Sequence, residues 1–492
     1  MAIEAVDIQP GVFRHGTDLE GAGRWRDVNL VRWRSGSLGP IGGWQERVKS
    51  GATLDKPVRG SLGWVDNSFD TKIAAGTYNK LFHISPSGVV TDITPAGFTA
   101  GAENAALNIG FGGGFYGTDY YGTQRISSGV YQEATTWSLD TWGEYLVACS
   151  VDDGKLYEWQ LNTSVVAAQI SNAPTSNLGL VTTAERFLFA LGAGGNPRKV
   201  QWCDKEDNTA WTPSATNEAG DFELSTNGEI LSGHRLRGKT LILTTTDAHT
   251  ATYIGPQLVF QFERVGTSCG VISRHACIPN AEGAFWMGQK GFFMYNGSSV
   301  QEMQCDVLDY VFNDMNTAQR SKVFAMNNSQ FGEAWWFYPS GGSNENDRYV
   351  IYNYKENYWN IGELARTSGF DAGVFRQPIM FCNGGKHYDH EIGYSHGGVA
   401  PHAESGPVVF GSSVVKVNEI IPDEKTQGEA TLTFKTRFYP NGSESTHGPY
   451  TMSNPTSARF SGRQLRLRVN GTEFNNWRFG IPRLNVIPGG NR

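Results

Sequence analysis

Residues 72–94 read KIAAGTYNKLFHISPSGVVTDIT. Ile73, Ala74 and Ala75 give way to turn formers at 77–79, then come Leu81, Phe82, His83 and Ile84, and then a second turn at 85–88. Apolar runs this short, bounded by Gly, Pro, Asn and Ser, predict three strands joined by two turns rather than a helix. The same grammar returns at 144–170, 185–211, 239–264, 283–303, 331–361 and 377–400. A unit of three or four strands cannot bury both of its faces, so neighbouring units must stack, and closing the stack into a ring protects the outer edges. The chain is therefore expected to be all-β, a β-propeller of six or seven blades, with a β-sandwich array as the competing arrangement. Asn-Gly pairs at 227–228, 296–297, 383–384, 441–442 and 470–471 are expected to supply the positive φ of tight hairpin turns.

Composition agrees with a folded β protein. Glycine makes up 60 of 492 residues, 12% of the chain is aromatic, and only 18% is charged, below the usual quarter. Forty-one basic residues against 48 acidic leave a net charge of −7, which argues against a binder that holds nucleic acid through many Lys and Arg contacts to phosphate. The start, MAIEAVDIQPG, lacks the basic and apolar regions of a secretory signal, and no 18-residue apolar run is present, so neither export nor membrane insertion is expected. Six cysteines without a C-x-x-C pair read as free, mostly buried thiols. One helix is expected within 304–321, where Val307, Leu308, Val311, Phe312 and Met315 share a face and Asp306 is placed to cap, packed outside a blade.

The expected organisation is an N-terminal segment (1–50) that helps close the ring or forms a platform, and a propeller (51–400) interrupted by an insertion at 98–136. Residues 401–456 are expected to form a final blade or an inserted or appended β subdomain, a candidate tip or fibre dock. Basic strands at 457–492 then close the propeller or dock at an interface. Within the insertion, Tyr116, Tyr120 and Tyr121 alternate with glycines, a composition suited to a contact surface because a tyrosine buries its ring while its hydroxyl stays wet.

Catalytic and metal chemistry finds little support. His387, Asp389, His390, Glu391 and His396 crowd ten residues, but strand alternation splits their directions, and solvated hairpin residues are the expected reading. Ser150, Asp152 and Gly154 resemble the Asp-box turn of sialidase-type propellers without repeating. No G-x-S-x-G, H-E-x-x-H or P-loop pattern is present. No metal, cofactor or catalytic residue is assigned. Charge is more informative: seven arginines and a single acid, Glu473, fall after residue 456. In QLRLRV, Arg466 and Arg468 alternate with Leu465, Leu467 and Val469, which puts the arginines on one strand face. Arg463, Arg466, Arg468 and Arg478 are the candidate interface residues. They either pair with acids of a neighbouring blade or subunit or form a basic rim for an acidic partner.

Several strings are similar, in order, to a known family. They are GVFR at 11–14, GRWRDVNLVRWRSGSLGPIGGWQ at 23–45, PRKVQWCDKEDNTAWTP at 197–213, NEAGDFEL with NGEI at 217–230, FWMGQKGFFMYNG at 285–297, DVLDYVFNDMN at 306–316, AWWFYPSGGSNENDRYVIYNY at 334–354 and NNWRFGIPRLNVIPGGNR at 475–492. Together they resemble the nozzle proteins of short-tailed phages, the tail tubular protein B family; residues 400–456 match least. The resemblance implies a non-enzymatic virion component assembled in the host cytoplasm. It implies a homo-oligomer, a hexameric ring that meets the adaptor or gatekeeper ring and the tail fibres. Genome DNA would pass along the axis between subunits. An acidic or neutral wall suits that role, because each phosphate held by a cation would slow transit. The alternative is a carbohydrate-binding or glycan-processing propeller.

Overall fold

In the computed structural model, residues 2–107, 131–280, 283–410, 413–425, 428–452 and 454–490 are described. Seven antiparallel sheets follow one another as blades: 60–92, 137–169, 179–223, 230–267, 277–303, 324–363 and 368–390. Their innermost strands are Gly60–Val65, Trp137–Trp142, Gly179–Thr182, Ile230–Leu236, Cys277–Pro279, Phe324–Asn328 and Ser368–Phe370. Each packs on the next, and the seventh packs on the first, so the ring is closed. The fold is a seven-bladed β-propeller.

Closure is non-covalent. Blade 7 draws only three strands from its own region, and its outermost strand, Trp44–Glu46, comes from near the N-terminus, with Trp44 opposite His390 and Glu46 opposite Tyr388. A few residues later Ser50–Gly51 runs parallel to the outer strand of blade 1, opposite Val89 and Val90. One short segment therefore laces both sides of the seam where the circuit of blades begins and ends, covering edges that would otherwise be open.

Both ends of the chain build a second unit. One sheet orders Ala2–Ala5, Arg483–Pro488, Val415–Ile421 and Thr456–Gly462; the other orders Gln9–Val12, Arg24–Asn29, His402–Ser405, Gln464–Gly471, Ala430–Arg437 and Ser445–Thr451. Thr456–Gly462 alternates strictly between buried and exposed positions, and Val417, Leu432, Phe434, Phe460, Leu467 and Val486 fill the space between the sheets. This is a two-layer sandwich. The basic strands of 457–492 therefore lie in the sandwich with residues 401–456, and ring closure falls to the N-terminal segment. The sandwich joins the propeller where Gln9–Val12 and Arg24–Asn29 pack on Tyr358–Glu363, the outer strand of blade 6, and one continuous core runs through both.

Two local expectations need correction. The helix is shorter than expected, Leu308–Asp314, followed by a 3-10 turn at Thr317–Lys322. Asp306 does not cap it; Val307 holds that position, and the Asp306 carboxylate instead accepts from Arg24 at 2.8 Å. Val307 and Val311 anchor one face of the helix on the shared core while Asp309 and Asn313 stay exposed, and Arg14 stacks its guanidinium 4.2 Å from the Tyr310 ring. Of the Asn-Gly pairs, only Gly297 and Gly384 take positive φ; Asn470-Gly471 ends a strand instead.

Candidate functional site

The four candidate arginines separate. On Gln464–Gly471, Leu465, Leu467 and Val469 are buried while Arg466 and Arg468 emerge on the outer sheet face. There they meet acids of their own chain. Arg466 pairs with Asp18 and lies 3.3 Å from Glu444; Arg468 reaches Glu404 at 3.2 Å and Asp27 at 3.8 Å. Lys435, directly across the strands from Arg466, is a like-charged neighbour, and Glu404 offsets the repulsion by accepting from it at 2.8 Å. Arg437 adds a 2.8 Å bond to Asp18. Arg463 stands apart at a tip, 5.3 Å from the Tyr439 ring, with Tyr439 63% exposed. Arg478 lies on the segment whose Phe479 exchanges two backbone hydrogen bonds with Leu38, at the seam between the sandwich and the hairpin Val31–Arg34/Ser37–Pro40. Tyr116, Tyr120 and Tyr121 lie outside the described residues.

This network makes an acid-sensitive face. Burial opposes the charge of Asp18, but Arg437, Arg466 and Arg26 more than offset it and hold the carboxyl below its ordinary value. Asp27 is held down chiefly by its hydrogen bond to His402, against the opposing effect of burial. A carboxyl with a depressed folded pKa stabilises the fold above its unfolded value and loses that contribution as pH falls through the folded value. Titration below about pH 4 is therefore expected to loosen the sandwich. Hydrogen exchange of Gln464–Gly471 followed against pH checks this, and Asp18→Asn should shift part of that loosening to neutral pH. Exchange independent of pH down to full unfolding would contradict it.

The second constellation spans one mouth of the propeller axis. The segment leading into blade 2 reaches across the ring to segments three blades away on either side. The Ala134 N–H donates to Ser321 Oγ at 3.2 Å, and the Tyr131 hydroxyl donates to the Ala318 carbonyl at 2.6 Å, on the approach to blade 6. Glu133 accepts from Arg274, on the approach to blade 5, at 2.5 Å. Gln319 exchanges two 3.0 Å bonds with the backbone of Ala105. Lys322, fully buried, donates to Asn104, the Asn344 carbonyl and Glu345, and Glu345 also accepts from Arg59 at 2.6 Å. Burial and the adjacent Arg59 pull the Lys322 ammonium down to about 8, although Glu345 opposes them. In a seven-membered ring, bonds between approaches three blades apart cross the axis, so this mouth is bridged. Further along the axis a cavity of about 370 Å³ is lined by residues of the inner strands, among them Ser61, His234, Cys277 and Asn327, together with His275. Burial lowers both imidazoles to about 4, leaving them neutral.

The histidine-rich stretch is core rather than solvated, a correction to the expectation. His387 is 1% exposed and stacks on Phe381 at 5.3 Å; His390 accepts from Arg366 Nε at 3.0 Å; His396 shares a 3.1 Å hydrogen bond with the Ile41 carbonyl and meets Trp44 edge-on. Among the described residues no group of three or more His, Cys, Asp or Glu is placed to hold a metal. In the Asp-box-like turn, Asp152 accepts from Thr135 and so ties down the insertion's stem. All six cysteines are free, four of them buried.

Sequence reasoning missed Arg59, Glu133, Arg274, Lys322 and Glu345. Their partners lie 141 to 286 residues apart except for Lys322 and Glu345, and no local pattern marks them.

No family model matches the chain, and no curated protein matches it. Among solved structures, virginiamycin B lyase from Staphylococcus aureus with quinupristin aligns at 9% identity over 70% of this chain and 98% of its own, with a TM-score of 0.42. The N-terminal domain of Nup159 aligns at 10% identity over 73% and 97%, with a TM-score of 0.36.

Proposed function

We propose that the protein is a structural subunit of a phage tail nozzle, several copies of which surround an axis through which genome DNA is retained and released. The observation that carries the reading is architectural. The propeller's own axis is bridged at one mouth by the Glu133–Arg274 and Ala134–Ser321 bonds, so a passage for duplex DNA has to lie between copies rather than through one. The sandwich built from both chain ends extends the blade 6 side of the ring, which gives each copy a second face with which to meet neighbours, an adaptor ring or fibres. The colinear sequence resemblance to nozzle proteins supports the same role. The proposed role is structural, and the axial Arg59, Arg274 and Lys322 serve in it as partners of in-chain ion pairs.

Electron microscopy of the purified chain and of virions tests the proposal. Six-fold rings with an open centre, and the chain present in purified particles, are the expected result. A subunit that stays solitary at every concentration and is absent from particles would overturn it.

A further inference from the structure

A groove of about 790 Å³ opens between blades 4 and 5, away from the axial cavity and from the sandwich. Its walls are the crossing from blade 3 to 4 (Ser225, Asn227), the turn before Asp247, the crossing from blade 4 to 5 (Thr267, Ser268) and the blade 5 turn carrying Gln289 and Lys290. The crossing from blade 4 to 5 approaches the turn before Asp247 closely: a Cβ on Gly270 would stand 1.9 Å from the Thr245 carbonyl oxygen, so only glycine fits there. The floor is satisfied internally. The Asp247 carboxylate, 6% exposed, accepts from the hydroxyls of Thr226 and Thr244 at 2.5 and 2.7 Å and from Thr246.

The walls differ from the floor. The side chains of Ser225, Asn227, Thr267, Ser268, Gln289 and Lys290 are exposed and make no hydrogen bond or ion pair among the described residues. Arg264, 53% exposed, reaches only Asp247, at 4.0 Å, and Arg198 at the far side is paired with Glu223 at 2.6 Å. The half-buried Phe293 ring gives one apolar wall and Glu302 one acidic edge. Amide, hydroxyl and cationic donors thus line one groove beside an aromatic wall.

We propose that this groove binds a carboxylate-bearing oligosaccharide, with Lys290 and Arg264 seating the carboxylate and the amide and hydroxyl side chains bonding ring hydroxyls. The number of neutral donors and acceptors exceeds what a bare phosphate uses, and two exposed cations in a chain of net charge −7 favour an anionic sugar over a neutral one. The inference is independent of the nozzle reading.

Calorimetry with oligogalacturonate, maltohexaose and inorganic phosphate on the full chain tests it. Oligogalacturonate should bind, and Lys290→Glu and Arg264→Glu should each weaken it about tenfold or more with an unchanged unfolding midpoint. Thr267→Val, which removes a hydroxyl without touching charge, should weaken it less. Absence of binding at millimolar sugar, equal binding of maltohexaose, or complete displacement by phosphate would each overturn the proposal, as would variants that bind like the parent.

Discussion

Replacing Arg32 with alanine is expected to cost about 3–5 kcal/mol of stability, because it strands two buried carboxylates. Arg32 lies on the hairpin strand Val31–Arg34 and is 1% exposed. Its guanidinium donates to Glu333 at 3.0 and 2.8 Å and to Glu391 at 2.9 and 2.6 Å, and lies 3.7 Å from the centre of the Phe331 ring. Glu391 also accepts from the Gly42 N–H and the Asn328 amide; burial opposes its charge, but Arg32 and these donors hold its carboxyl below the usual range. Burial pushes Glu333 up, with Arg32 offsetting only part of it. The trio ties the N-terminal segment to blades 6 and 7, so its loss acts on ring closure as well as on solvation. Denaturant unfolding measures the effect. Combining Arg32→Met with Glu333→Gln and Glu391→Gln should recover much of the loss, since no unpaired charge then remains. An Arg32→Ala protein that unfolds at the parental midpoint would refute this account.

A fragment comprising residues 52–492 should fail to give a soluble, cooperatively folding propeller. It lacks Trp44–Glu46 and Ser50–Gly51, leaving His387–His390 as an open edge in blade 7 and uncovering the blade 1 edge, and it strips three strands from the sandwich. Exposed edges of this kind pair with other chains. Gln45→Pro in the full chain separates the seam from the sandwich: proline removes the Gln45 N–H opposite Asp389 while leaving the other strands intact. Limited proteolysis should then cut first in blade 7. A 52–492 fragment that is monomeric and as heat-resistant as the parent would show that the seam contributes little.

Much of the propeller was legible because its rule is local. Each of the seven repeats read from the sequence begins with the second strand of a blade and takes in at least its second and third strands, as 72–94 spans Thr71–Gly76, Leu81–Ile84 and Val89–Asp92. The inner strands were missed. Ser368–Phe370 and Cys277–Pro279 are three residues long, each paired on one side only with the next strand of its own blade and packed on the other against the inner strands of adjacent blades, too short a run to show a period. The His387–His396 stretch was misread for the same reason: its polarity suggests solvent, and only the N-terminal strand carrying Trp44 covers it.

For the candidate surfaces, strand alternation placed Arg466 and Arg468 on one face correctly, because the period of two is a property of the backbone. Their partners Asp18, Asp27 and Glu404 were beyond reach, since they arrive from strands and loops 64 to 448 residues away.

The amino-acid order by itself determined hairpins and the alternation that makes each strand amphipathic, since these depend on neighbours a few residues apart, and left the blade count between six and seven. The tertiary structure alone decided which segment closes the ring, that both chain ends share a sandwich, and which charges meet. Those outcomes are set by burying apolar faces and pairing desolvated ions across the whole chain, and no short window contains them.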